Sequence, residues 1–186
     1  VNLPLPVAVG IWILVGVLLL LVVVGGRRRL ARRTRGVVPV PPAPPTDLGA
    51  LRLEPVEATY VTTTLGGDWL ARVGAHGLGD RSVAAVSVHD AGVLVERTGA
   101  DPVFLPAAAV RGVGLAPGMA GKYVGTDSIV VVSWLAPADA TAPAAALDTG
   151  VRPRHPADRA RLVDAVRALA DGTRPQTPAA PPKENQ

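Results

Sequence analysis

The chain has 186 residues, 19 Lys or Arg against 15 Asp or Glu, a formal charge of +4 and no cysteine. That length holds one ordinary domain plus an anchoring segment, and the missing cysteines exclude disulfides, thiol chemistry and Cys-ligated zinc. The positive balance is local: residues 27–35 hold six Arg and no acid, whereas Thr46 to Gly172 hold eleven Lys or Arg and fourteen Asp or Glu, a formal charge of −3. A nucleic-acid binder carries its excess positive charge on the folded face, so no nucleic-acid partner is expected. The preference for Arg over Lys, with abundant Ala, Val, Gly and Pro, fits a GC-rich bacterial genome.

Leu3 to Val24 is apolar almost throughout, and Val7 to Val24 gives 18 residues without a charged side chain. As a helix this run spans roughly 27 Å, close to the thickness of a bilayer's hydrocarbon core. It has no polar face to turn outward from a soluble core. No Lys or Arg precedes it and no Ala-x-Ala follows it, which argues against a cleaved signal peptide. Arg27, Arg28, Arg29, Arg32, Arg33 and Arg35 lie only on its C-terminal side, so that side is expected to stay in the cytoplasm. The expected topology is a single span of a bacterial plasma membrane, N-terminus outside, with these arginines against anionic head groups at about 1 kcal/mol each. Gly10 and Gly16 are not in GxxxG spacing, so no helix-dimer face is read. Trp12 lies in the first turns of the span, near the outer interface.

The chain then divides into an anchor over 1–26, a basic juxtamembrane segment over 27–36, a Pro-rich linker over 37–54, a folded domain over 55–172 and a disordered tail over 173–186. The sequence VVPVPPAPPT at 37–46 holds five prolines in ten residues. It reads as a polyproline II spacer of roughly 30 Å that holds the domain clear of the head groups. Glu57–Thr64 is rich in β-branched residues and reads as a strand. Asp68 is placed to cap a short helix over Trp69–Ala75, with Trp69, Leu70 and Val73 on one face. Ser82–His89, Gly92–Arg97, Val103–Leu105, Arg111–Leu115, Ser128–Leu135 and Ala146–Val151 follow as strands. Pro117–Asp127 reads as a glycine-rich loop and Ala136–Ala145 as a mobile hairpin end. The last element is a helix after Pro156, with Leu162, Val163, Val166, Leu169 and Ala170 on one stripe and Gly172 as its left-handed stop. About seven short antiparallel strands and one amphipathic helix make a mainly β, α+β domain: a bent sheet or barrel plugged by its C-terminal helix.

That order is similar to the pleckstrin-homology (PH) superfold. More narrowly, the chain resembles a family of bacterial, chiefly actinobacterial, membrane-anchored proteins with a PH-like domain. The stretches that carry the resemblance are Gly67-Asp68-Trp69-Leu70 with Arg72, His76-Gly77-Leu78-Gly79 with Arg81, Asp90-Ala91-Gly92-Val93, Ala120-Gly121-Lys122, and Asp148-Thr149-Gly150 running into Arg152-Pro153-Arg154-His155. The resemblance implies a seven-stranded PH-like sheet with a capping helix, and a membrane or transport-associated protein of no assigned activity. None of these stretches is a catalytic motif, and fold does not fix function.

Catalytic chemistry finds no constellation. His76, His89 and His155 are far apart and in no metal-ligand spacing, so no metal or cofactor is expected. There is no GxSxG elbow, and Gly118-Met119-Ala120-Gly121-Lys122 lacks the GxxxxGK[ST] spacing of a phosphate loop. Trp69 and Trp134 are expected in the core. The residues set apart as candidates for a ligand or partner are Arg72, His76, Arg81, Lys122, Arg152 and Arg154, an anion-seeking set if the fold brings them together. The expected function is a non-enzymatic interaction or scaffolding module with a protein partner; the alternative is an accessory subunit of a membrane transport or export complex.

Overall fold

A computed structural model describes residues 4–123 and 125–173; within them the side chains of Arg27, Arg28, Leu30, Ala31, Arg33 and Lys122 lie outside the description. The expected tail over 173–186 lies outside the described residues beyond Thr173. The first element, α1, runs over Leu5–Arg35. Its first 22 residues, Leu5–Gly26, are long and apolar enough to cross a membrane. The helix continues unbroken through Gly25 and Gly26, so the arginine-rich segment forms its last turns. It ends at Gly36, and the amides of Val37 and Val38 bond back to the Thr34 carbonyl.

Nine strands follow among the described residues: β1 (Leu51–Leu65), β2 (Ser82–His89), β3 (Gly92–Arg97), β4 (Val103–Pro106), β5 (Val110–Ala116), β6 (Gly118–Met119), β7 (Lys122–Tyr123), β8 (Ile129–Ala136) and β9 (Ala145–Pro153). Seven form one antiparallel sheet in the order β4-β3-β2-β1-β9-β8-β5, and β6 and β7 make a separate hairpin. The strand β1 is the corner. Its residues Leu51 to Tyr60 pair with β2, and Ala58 to Leu65 pair with β9, with a register shift between Tyr60 and Thr62. Such an extra residue bends a strand, so one chain segment serves two three-stranded meanders. The helix α2 (Ala157–Thr173) packs against β5, β1 and β8. It buries Leu162, Val163, Val166, Leu169 and Ala170, the stripe read from the sequence. Trp134 lies in the same core with Tyr60, Leu105 and Leu147.

Five expectations change. The helix expected over Trp69–Ala75 is absent. Beyond the β2 pairing, the C-terminal half of β1 has an open edge, and its backbone groups need partners. The chain lies back along it instead: Leu65 N–H donates to Ala71 O, Val73 N–H to Thr63 O, and Thr63 N–H to Leu78 O. Asp68 still caps a turn, its Oδ1 accepting the amides of Leu70 and Ala71 at 2.9 and 3.2 Å. Trp69, at the tip of that turn, is 55% exposed, so of the two tryptophans expected inside only Trp134 is buried. Gly172 has no positive φ, and α2 runs past it to Thr173.

The linker is the fourth change. Val38 and Pro39 are buried, Pro41, Pro42 and Leu48 are half-buried, and Leu53 is buried at the far end. The strap is tied at both ends. Val40 N–H donates to Asp139 Oδ2 at 2.6 Å in the β8–β9 turn. At the far end, Ala91 N–H in the β2–β3 turn donates to Leu48 O, and Asp90 accepts from Ala50 N–H and Arg52 Nε. Those turns lie beyond opposite ends of β1. The extended proline segment therefore spans the height of the domain and not a gap beneath the membrane. Asp139 also closes the β8–β9 turn, its Oδ1 accepting from Thr141 and Ala142, so that hairpin end is pinned.

Candidate functional site

The end of the sheet where α1 arrives is closed by the chain itself. Thr34 Oγ1 accepts the Ala75 amide at 2.9 Å, and His76 Nε2 lies 3.0 Å from Val38 O. His76 holds φ +54°, a left-handed conformation that turns its ring to the strap. Arg97, nearly buried, ties two loops of this end together by donating to Gly77 O and Asp101 O, both at 2.7 Å, while its guanidinium stacks 4.7 Å over the Tyr60 ring. The Val40 amide and then Thr141 hold the Asp139 carboxyl far below its ordinary range. These contacts bury Val38 at this end of the domain.

An open groove of about 860 Å³ lies elsewhere, across the outer face of β1, β2 and β3. Side chains alternate along a strand, and this face is set by the register. Thr59 sits opposite Arg152 on β9 and Val83 on β2, and the Thr98 amide donates to Val83 O. One step along, Glu57 sits opposite Ala85, and Ala85 opposite Glu96 on β3. After β9, Arg154 N–H donates to Glu57 O and its guanidinium meets Glu57 Oε2 at 2.8 Å. Two rungs result: Arg152, Thr59, Val83, Thr98 and Arg154, Glu57, Ala85, Glu96. The floor is small or apolar, with Val83 69% exposed. One wall carries Arg152, Arg154 and, from the first turn of α2, Arg159; the other carries Glu96. Arg159 donates to Asp127 O at 3.3 Å, and its Nε is buried with no protein partner. Arg154 is neutralised by Glu57, which leaves Arg152 and Arg159 as the cationic side.

The fold thus separates the six candidates. Arg152 and Arg154 line the groove with Arg159, which the sequence reading missed: it reads as one polar residue of an amphipathic helix, and only the β9–α2 connection brings it to the groove. His76 serves the strap. Arg72 bridges Thr64 in the β1–β2 excursion, and Arg81 is exposed just before β2. Lys122 sits in the β6–β7 hairpin. Among the described residues, no three His, Asp or Glu side chains gather as a metal site.

The model of a family described as "Bacterial PH domain-like" matches residues 38–167. The chain belongs to that bacterial PH domain-like family. The match starts at Val38, the residue that the strap buries, so the PH-like unit includes the proline segment. The seven-stranded antiparallel sheet and the C-terminal helix are those that the resemblance implied. No curated protein matches. A chain in the solved structure titled "The 8S snRNP Assembly Intermediate" is similar over 76% of this chain and 96% of its own, at 10% identity and a TM-score of 0.45. At that level the likeness bears on neither ligand nor partner.

Proposed function

We propose that this PH-like domain is a non-enzymatic recruitment module that α1 holds at the inner face of a bacterial plasma membrane, and that its groove takes an acidic segment of a protein partner. The observation that carries the reading is the pair of rungs on the β1–β2–β3 face. They form the small-residue floor of an open groove of about 860 Å³, with Arg152 and Arg159 on one side and Glu96 on the other to fix the direction of an extended chain. Arginine presents a planar fork suited to carboxylates.

The test is crosslinking and pull-down from native membranes with the full chain, with Arg152→Glu and with Arg72→Glu. A defined partner retained by Arg72→Glu and lost with Arg152→Glu is the expected result. Retention in both moves the interface off the groove, and capture of nothing specific sinks the recruitment reading. Turnover of a substrate by the purified full chain would replace it with an enzyme. The accessory-subunit reading predicts instead that a polytopic protein co-purifies through α1 whichever arginine is changed.

A further inference from the structure

Three large side chains stand out of the domain together. Trp69 and Leu70, at the tip of the β1–β2 excursion, are 55% and 58% exposed, and Tyr123 on β7 is 72% exposed. They are held as one tip: Trp69 O accepts the Ala120 amide at 2.7 Å, and Leu70 lies beside Gly121 between β6 and β7. Below the hairpin, Met119 is buried over Gly150 and Ile129, which roots it to the sheet. Asp68 fixes the turn from behind. Nothing in the core or the groove uses these three side chains.

We infer that this Trp69–Leu70–Tyr123 tip is a second membrane contact, seated in the interfacial layer of the same bilayer that α1 crosses. The attachment geometry favours that occupant. The excursion that carries the tip also grips α1 through Ala75 and Thr34, and the Val40–Asp139 tie lies at the same end of β1. From Gly26 to Thr34 the helix advances only about 12 Å. Six residues, at most about 20 Å, separate Ala75 from Trp69. The head-group layer on each side is itself about 5–8 Å thick. The tip is therefore kept within reach of the interface at a high effective concentration, with no encounter to make. Trp and Tyr favour that layer, where an apolar ring body and a polar edge are both satisfied. The tip's three side chains are uncharged, so its seating does not depend on anionic lipid. The arginine-rich end of α1 supplies that attraction separately.

The inference rests on α1 crossing the membrane, and the test keeps the two apart. Because the chain has no cysteine, a single introduced one is a unique labelling site. Spin labels are placed at Leu70→Cys, at Leu14→Cys in the span and at Ala108→Cys beside the distal β2–β3 turn, each in the full chain in nanodiscs holding one copy. The expected result is a deep Leu14 label and a Leu70 label several-fold less accessible to a water-soluble nickel relaxant than the Ala108 label, unchanged by high salt. A deep Leu14 label with Leu70 as accessible as Ala108 overturns the tip contact alone. A shallow Leu14 label overturns both readings. Protection of Leu70 only when several copies share a bilayer assigns the tip to a second copy and overturns the inference as well.

Discussion

Tyr60 shows how single residues set this domain's limits. Its ring is fully buried, and its hydroxyl donates to Leu78 O at 2.8 Å. With that proton committed, donation runs one way from Trp134 Nε1 to Thr149, to Thr63 and to Tyr60 at 3.0, 2.9 and 2.7 Å. Each hydroxyl gives once and accepts once, so the network is satisfied. Thr149→Val breaks it in the middle, leaving Trp134 Nε1 without an acceptor and Thr63 with its bond to Tyr60 alone; equilibrium unfolding should show a loss of about 1–3 kcal/mol. Burial pushes the Tyr60 hydroxyl up to about 12, only partly offset by Thr63 and Arg97. The folded state thus holds the proton more tightly than the unfolded chain, whose tyrosine titrates near 10. The Tyr60 contribution is fully present below pH 10, is lost between pH 10 and 12, and levels off about 2–3 kcal/mol lower. Urea titrations across that range check it, with Tyr60→Phe expected to flatten this component. Two glycines separate by the same reasoning. A Cβ at Gly92 meets the rigid carbonyl of Leu105, whereas one at Gly150 meets the flexible Met119 thioether. Gly92→Ala should therefore cost more than Gly150→Ala, each within about 1–3 kcal/mol.

Among the elements, the strap and the corner strand depart furthest from a reading of local pattern. The stripe on α2 was legible because helical periodicity needs no partner to be seen, and Leu162→Ala should cost about 2–5 kcal/mol in denaturant unfolding. The proline segment was read as a spacer because polyproline II looks the same lying on a surface as crossing open water. Its attachment depends on Asp139, 99 residues away from Val40. Asp139→Ala should shift the Val40 and Thr141 amide signals while leaving β1 and β9 unchanged by NMR. Because hydrogen bonds hold the Asp139 carboxyl well below its ordinary range, its contribution is present above that range and is lost only as the pH falls below it. The strap tie should therefore persist through mildly acidic conditions. The excursion after β1 was read as a helix from the spacing of Trp69, Leu70 and Val73, yet the open edge of β1 took those backbone groups first.

For the molecule as a whole, two features come before the sheet: a helix long and apolar enough to cross a membrane, and the knot of Thr34, Val38 and His76 at its end. Thr34→Val should loosen the second without touching the first, and spin-label distances between α1 and β2 should broaden while the unfolding midpoint of the sheet changes little. Sequence alone determined the apolar helix, the polarity of charge about it, the succession of strands and the amphipathic C-terminal helix. These are properties of consecutive residues, expressed as length, period and turn chemistry. Even the PH-like resemblance rested on short stretches of that kind. Tertiary structure decided which arginines share a face, because β-sheet register joins Thr59 to both Arg152 and Val83 across about 93 and 24 positions. It also decided that Trp69 stands outside while Trp134 lies within, since each is followed by a leucine in sequence and only one meets a filled core. The proline strap went to the domain and not to open solvent for the same reason: its Val38 is buried against residues far along the chain and its Val40 amide is held by the distant Asp139 carboxylate, and neither set of partners is visible from its own ten residues.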